Sequence, residues 1–428
     1  MRIKNLLFTL SAILLAVLPF ERIPSVTVSG VTIKMSSIVL LVALIIGAVA
    51  WFRDRKIPQL DLPDRILLIW YIWAWLITPF AVSRSVAVHT MLLWTVVLTG
   101  YFMVSRYVRA SKEQAMASRI LITVGLVTAT FGLLQFILNT YFNVPGQDVG
   151  LTPNYVKAVF GFARIQSVGI EPLYYAAFLH MPVFLAMVTV LFNRAKRQLV
   201  SILTLAFLIL VEVLTLSRGA YLGIIGGSIV VVLALIWLRQ LPWKSLGVVA
   251  VAAVLAIACA EGFIALSGLV GTSANGAASV TTFSEHAIGG TATRGTSVDP
   301  RIAAMKDAYA MAKKHLVVGV GPGNYGVVTT LQKTAQNQKP IVNNFFLEVL
   351  AEQGVIGLIL CLAFFATIFI RLLMAMFHAS KVNPFQVAML GALIALGVQM
   401  NFFSTLYVVT VWVGAGLASG AAYDGYRS

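Results

Sequence analysis

Hydrophobic residues recur along the chain in runs of about 15 to 25, broken by short polar or basic segments. At 1.5 Å of rise per residue, a helical run of roughly 20 residues crosses the ~30 Å hydrocarbon layer of a bilayer. The pattern predicts spans near residues 6–20, 36–52, 65–80, 87–105, 119–138, 172–192, 199–216, 219–237, 246–270, 354–373, 385–403 and 406–422. These must be helices, because lipid offers no other way to satisfy the backbone of a single segment. The expected architecture is an all-α polytopic membrane protein of about 12 transmembrane helices, with residues 1–428 forming a single membrane domain.

Composition agrees. The chain is 59% hydrophobic and 11% charged, with a mean hydropathy of +0.91; soluble domains carry about twice that charged fraction. The two cysteines, Cys259 and Cys361, stand far apart in apolar runs and form no disulfide, zinc or redox pattern. A net charge of +16 would otherwise point to nucleic acid, but the basic residues gather in short clusters between spans. They are Arg53, Arg55 and Lys56; Arg106, Arg109 and Lys112; Arg194, Lys196 and Arg197; Arg239 and Lys244; Arg371 and Lys381. With both termini cytoplasmic, every cluster falls on the cytoplasmic side, as the positive-inside rule requires. The charge therefore reports orientation, not a nucleic-acid partner. Arg2 and Lys4 precede an apolar stretch that ends at Phe20, but Glu21-Arg22-Ile23-Pro24 follows without a small-x-small cleavage site, so the first span is expected to be retained.

Two outward loops exceed a simple turn, residues 139–171 and 271–344. The first part of the longer one, Thr272 to Ser297, is rich in Gly, Ala, Ser and Thr and is expected to be mobile or ordered by substrate. In the second part, Asp299-Pro300 predicts a helix start. Ile302, Met305, Tyr309, Ala312 and Leu316 then mark one apolar stripe, and Lys313, Lys314 and His315 match the helix C-terminal dipole. This is an amphipathic helix, expected to lie over the membrane domain.

Ionisable groups beside apolar spans are costly, which directs attention to the outward charges. Arg164 lies in the first long loop, Arg218 in Leu216-Ser217-Arg218-Gly219 between two spans, and Arg301 at the head of the amphipathic helix. Arg218 is the sharpest, and its two readings are an arginine snorkelling to lipid headgroups and a guanidinium aimed at phosphate. Gly319-Val320-Gly321-Pro322-Gly323-Asn324-Tyr325-Gly326 lacks the Gly-Lys-Ser/Thr ending of a nucleotide loop. It is read as a turn that lets backbone amides approach a ligand, or as one that simply needs positive φ. Glu348 and Glu352, four apart, share a helix face and serve either acid–base work or the neighbouring arginines.

Leu216-Ser217-Arg218-Gly219, the Arg301 helix with Val318-Gly319-Val320-Gly321-Pro322-Gly323-Asn324, and Asn343-Asn344-x-Phe346-Leu347-Glu348 with Glu352-x-Gly354 resemble the O-antigen ligase and polymerase superfamily. So does Arg164 ahead of Gly169-x-Glu171-Pro172; the likeness runs in order over residues 164–373. The resemblance implies a membrane-embedded glycosyltransferase of the bacterial inner membrane. It would move a glycan from undecaprenyl pyrophosphate to an acceptor hydroxyl on a glycan, lipid or protein, with inversion and without metal or other cofactor. By motif position Arg218 and Arg301 would serve the pyrophosphate, with Arg164 third. Ser217, Gly321, Asn324, Asn344 and Glu352 would be binding positions, and Glu348 and Asn343 catalytic ones. A histidine commonly stands in ligases of this family where this chain has Asn343, and asparagine cannot act as a base. Glu348 or another carboxylate then takes the proton, or its removal is undemanding. Polymerase, capsule or exopolysaccharide assembly and protein glycosylation stay open. A transporter or flippase of lipid-linked sugars is the alternative, though no internal repeat is visible; a non-catalytic assembly partner is the third reading.

Overall fold

The computed structural model describes residues 2–23, 25–28, 31–54, 59–157, 161–192, 198–270, 299–331, 340–404 and 406–423. The Gly/Ser/Thr-rich stretch 272–297 lies outside the described residues, as do Arg55, Lys56, Arg194, Lys196 and Arg197 of the basic clusters. The chain is almost wholly helical: α1 Arg2–Val17, α2 Met35–Asp54, α3 Leu62–Ile77, α4 Arg84–Tyr107, α5 Ser111–Tyr141, α6 Pro172–Phe192, α7 Gln198–Leu214, α8 Arg218–Trp237 and α9 Trp243–Val270. Then follow α10 Asp299–Lys314, the single turn α11 Tyr325–Val328, α12 Phe345–His378, α13 Pro384–Gln399 and α14 Val409–Ala421. A short antiparallel hairpin, β1 Ser25–Val28 and β2 Val31–Lys34, joins α1 to α2, with Ser25 opposite Lys34.

A helix stands at each of the expected spans. Seven are long and apolar enough to cross a membrane: Met35–Arg53, Arg84–Tyr107, Ser111–Tyr141, Pro172–Phe192, Arg218–Trp237, Trp243–Ser267 and Phe345–His378. Asn5–Val17, Gln198–Leu214, Pro384–Gln399 and Val409–Ala421 are apolar but shorter. The chain is a multi-pass membrane protein. Its most enclosed helices are α6, α13 and α14, while α2 and α9 expose most of their apolar side chains, as helices facing lipid do. Helix α8 packs closely on α13 because Gly227 leaves room for the Gly391 carbonyl and the Phe184 ring, and any side chain there would collide with both. On another side Trp70, Trp94, Trp412 and Phe364 meet at ring separations of 5.0 to 6.4 Å, joining α3, α4, α12 and α14.

Helix α12 breaks at Gly354, whose φ of 69° and ψ of −172° only glycine adopts readily. The break frees three consecutive carbonyls, and each finds a donor from elsewhere. The Ala351 oxygen accepts from Val320 N at 3.0 Å, the Glu352 oxygen from Gly321 N at 2.8 Å, and the Gln353 oxygen from the Trp73 indole at 3.1 Å. Val355 N in turn donates to the Leu316 carbonyl at 2.8 Å. The segment after α10 is thereby threaded along the break, which sets Phe345–Gln353 apart from the spanning part of the helix.

The buried face of α10 differs from the expected stripe. Ala304, Ala308, Met311 and Ala312 are buried, against Val320, Tyr325, Val342 and Ala351. Ile302, Tyr309 and Leu316 are instead 44, 52 and 56% exposed. Small residues win this face because they let α10 lie close on the first segment of α12, where larger side chains would hold the helices apart. The helix does run from Asp299 and end on Lys313 and Lys314.

At the opposite end of the bundle Arg106 approaches Asp64 at 3.5 Å, and Arg109 pairs with Asp61 at 2.9 Å while covering the Tyr423 ring at 3.7 Å. Within the bundle His180 Nδ1 of α6 and Glu212 Oε1 of α7 lie 2.9 Å apart, both side chains fully buried.

Candidate active site

Helix α7 ends at Leu214, and its last carbonyls need donors. Arg164 supplies them. Its Nε and one terminal nitrogen donate to the Thr215 oxygen at 3.1 and 3.0 Å, and that nitrogen also reaches the Leu216 oxygen at 3.0 Å. A cation at a helix C-terminus suits the dipole. The loop carrying Arg164 is fixed independently, by Arg164 N on the Tyr155 carbonyl at 2.9 Å and Ile165 N on the Leu214 carbonyl at 3.1 Å. Arg164 therefore builds the turn from which Arg218 projects.

In that turn Leu216 takes a positive φ of 53°, and Ser217 becomes the extended N-cap of α8 with Arg218 as its first residue. The Ser217 hydroxyl makes no capping bond, is buried, and has no hydrogen-bond partner among the described residues. A helix N-terminus, a guanidinium and a buried hydroxyl thus come together, which is the donor set an anion requires.

Arg301, exposed in the first turn of α10, faces the same region. Between it and Arg164 lies Glu171, the residue that opens α6. The Arg164 guanidinium sits 5.4 Å from the centre of the Tyr155 ring, and Tyr155 lies near Glu171. Partial burial raises the Glu171 carboxyl above its ordinary range, and the positive charges of Arg301 and Arg164 pull it back part of the way. Glu21 is the like-charged neighbour. It is buried, 3.8 Å from Lys34 Nζ, while Arg22 clips the same loop by donating to the carbonyls of Gly169 and Ser167 at 3.1 Å each and to that of Gly150.

The glycine-rich segment is occupied by the protein itself. Gly323 N and Tyr325 N donate to the Glu352 carboxylate at 2.6 and 3.0 Å, and Gly321 N to the Glu352 carbonyl. Asn324 is fully buried; its Oδ1 accepts from Ser83 N at 2.7 Å and its Nδ2 donates to the carbonyls of Pro322 and Ser83. Gly321, Asn324 and Glu352 thus lock the α3–α4 turn onto the α12 break. Glu348 is buried one turn away, and the charges of Glu348 and Glu352 both reach Tyr407.

Asn343 has a left-handed φ of 58°, which asparagine tolerates well. Its amide nitrogen donates to Ser404 Oγ at 3.3 Å and its Nδ2 to the Ile341 carbonyl at 3.1 Å. Asn344 caps α12, its Oδ1 accepting from Leu347 N at 3.0 Å, and its Nδ2 contacts Asn401 Oδ1 at 3.4 Å. Phe402 packs on Gly219, so the 400–404 segment bridges the starts of α12 and α8.

Arg164, Ser217, Arg218 and Arg301 are therefore gathered on one side, and Asn343 and Asn344 are linked to them through residues 400–404. Gly321, Asn324 and Glu352 point into a separate contact. Glu171 entered the sequence reading only as part of a motif, without a role, and Tyr155 and Glu21 were given none. A carboxylate directly before a proline at a helix start, seven residues after an outward arginine, was the available signal for Glu171.

These features define a multi-pass membrane protein with a charged cluster at the ends of its helices. Residues 203–362, from α7 into α12, match the family model described as O-antigen ligase. No curated protein matches the chain at a significant level.

Proposed function

We propose that this protein transfers a glycan from an undecaprenyl-pyrophosphate-linked donor to an acceptor hydroxyl on the extracytoplasmic face, in cell-surface polysaccharide assembly. The observation that carries the reading is the α7–α8 turn, where Arg218 and the N-terminus of α8 meet a Ser217 hydroxyl that has no hydrogen-bond partner among the described residues, and where Arg164, which builds the turn, lies near the charge of Arg301. The donor's fixed charge is a pyrophosphate tied to a lipid, so its binding groups belong at helix ends near the interface. Pyrophosphate is already a good leaving group; stabilising the charge that develops on it contributes more than protonating it. Arg218 and Arg301 take that role, and Arg164 holds their frame. A direct displacement by the acceptor oxygen inverts the sugar carbon and calls for no metal or covalent intermediate. Asn343, Asn344 and the buried Glu348 shape the acceptor side, while Gly321, Asn324 and Glu352 support them from behind.

Twelve crossings with both termini cytoplasmic set these residues outside and the Arg106–Lys112 cluster inside. Single cysteines at 301 and 112 should label from opposite sides in intact cells with a membrane-impermeant thiol reagent, in a background lacking Cys259 and Cys361. The catalytic test is transfer from a lipid-linked oligosaccharide by purified Arg218→Ala and Arg301→Ala. Both variants are expected to insert and fold normally yet lose transfer; full activity in both would sink the pyrophosphate role.

A further inference from the structure

We propose that His180 and Glu212 are positioning residues for the anion site: their contact pins the last turn of α7 against α6 and thereby sets where Arg218 meets the donor pyrophosphate. The inference rests on the pyrophosphate reading argued above and gives a role to two side chains that reading left unused. Both are fully buried in the bundle, so they act on the donor only through the turn above them.

Three observations carry it. His180 Nδ1 lies 2.9 Å from Glu212 Oε1, and apart from each other the side-chain nitrogen and oxygen atoms of the two residues have no hydrogen-bond partner among the described residues. The imidazole is seated against the α8 backbone, where a Cβ on Gly223 would come within 3.0 Å of His180 Nε2 and 2.8 Å of the Ala395 carbonyl of α13. Next, Glu212 is the one polar side chain among the buried residues of α7; the rest are Leu205, Leu208, Ile209, Val211, Val213 and Leu214. Last, Glu212 stands at the base of the turn that presents Arg218. Its carbonyl accepts from Thr215 N at 3.2 Å and Thr215 Oγ1 at 2.7 Å, and the Thr215 carbonyl in turn accepts from Arg164. Tyr221, in the first turn of α8, donates its hydroxyl to the Val213 carbonyl at 2.5 Å. The backbone of Glu212 is thus bonded into the turn, while its side chain reaches sideways to α6.

Stability does not account for the pair. Burying a carboxyl and an imidazole carries a desolvation cost, and well-packed apolar replacements of buried polar pairs are often as stable or more so. What the pair supplies is direction. Apolar contacts are non-directional and re-form after a small slide or rotation of one helix on another. A buried nitrogen and oxygen that have only each other do not, because a shift of α7 on α6 strands both. One register is favoured, and the Thr215–Arg218 turn inherits it. A guanidinium that stabilises developing charge works only when held close to its productive position, so the pair acts on affinity and rate through geometry.

The test sets stability against binding in purified full chains, by thermal unfolding in detergent and by calorimetric titration of undecaprenyl pyrophosphate. The double variant His180→Leu/Glu212→Leu is expected to unfold at or above the wild-type temperature yet to bind the lipid about tenfold more weakly. Glu212→Gln keeps an oxygen for His180 Nδ1 without the charge and should bind within about threefold of wild type. A double variant as stable as wild type that also binds as tightly overturns the proposal. So does one that no longer folds, since the pair would then serve stability, and so does a folded Glu212→Gln that loses as much affinity as the double variant. Arg218→Ala separates the two levels. Weak binding by Arg218→Ala beside full binding by the double variant removes the pin and leaves the pyrophosphate site standing; full binding by Arg218→Ala overturns the site itself.

Discussion

Two turns on the same face of the bundle adjoin helix starts, yet the chain fills them differently. In the Thr215–Arg218 turn Arg164 takes the Thr215 and Leu216 carbonyls, and the Ser217 hydroxyl is left without a hydrogen-bond partner among the described residues. In the Gly319–Gly326 turn the amides are the occupied groups. Val320, Gly321, Gly323 and Tyr325 all donate to Ala351 or Glu352. A glycine-rich nest is an anion site only while its anion comes from outside, and here the chain supplies its own carboxylate. The first turn should therefore respond to mutation in activity, and the second in stability.

The largest separation is expected at Arg218. Arg218→Ala should lower transfer from a lipid-linked donor by on the order of 10²–10³-fold, the scale of losing one preorganised charge stabiliser. Its thermal unfolding midpoint in detergent should stay within a few degrees of wild type. A fall in both would erase the contrast. Gly319→Ala should do the reverse. Its φ of 68° and the Glu352 carbonyl against the missing Cβ leave no room for a side chain, so a loss of about 3 kcal/mol is expected in unfolding. The transfer rate per folded molecule should change little.

Arg164 tests the boundary between the two behaviours. It lies at the proposed anion-binding side but is spent on carbonyls, so Arg164→Ala should cost about 2 kcal/mol of stability as well as activity. Arg164→Lys should recover little of either, because one ammonium cannot span the Thr215 and Leu216 oxygens as the fork does. Full stability with lost transfer would mean that Arg164 binds substrate directly.

The helices were legible in the sequence because facing lipid is a property of a segment alone: twenty apolar residues need no knowledge of their neighbours. The site was legible only where chemistry is local. Arg218 and Arg301 announce themselves as charges beside apolar runs. The partners that decide each residue's use lie far away along the chain: Arg164 meets Thr215 across 51 positions, Asn324 meets Ser83 across 241, and Trp70 meets Gln353 across 283. No local pattern distinguishes a nest filled by Glu352 from an empty one. The α10 stripe failed for the same reason, since large apolar residues mark a face only when the opposing surface has room, and the first segment of α12 admits alanine. His180 and Glu212 were visible as ionisable groups inside expected spans, but their pairing follows from how α6 packs on α7.

Asn344 gives the finest test. It holds the start of α12 through a side-chain oxygen on Leu347 N, and its Nδ2 touches Asn401 beside the Phe402–Gly219 contact that reaches α8. If the cap is its whole contribution, Asn344→Ala should cost about 1 kcal/mol and Asn344→Asp should restore it, since an aspartate oxygen caps as well. Transfer would then follow stability in both. Aspartate, however, cannot donate to Asn401 and sets a negative charge toward the anion-binding side. Should Asn344→Asp regain stability but lose transfer several-fold further, the start of α12 belongs to the behaviour of the arginine turn. Equal recovery of both would assign it to the scaffold shared with the glycine turn.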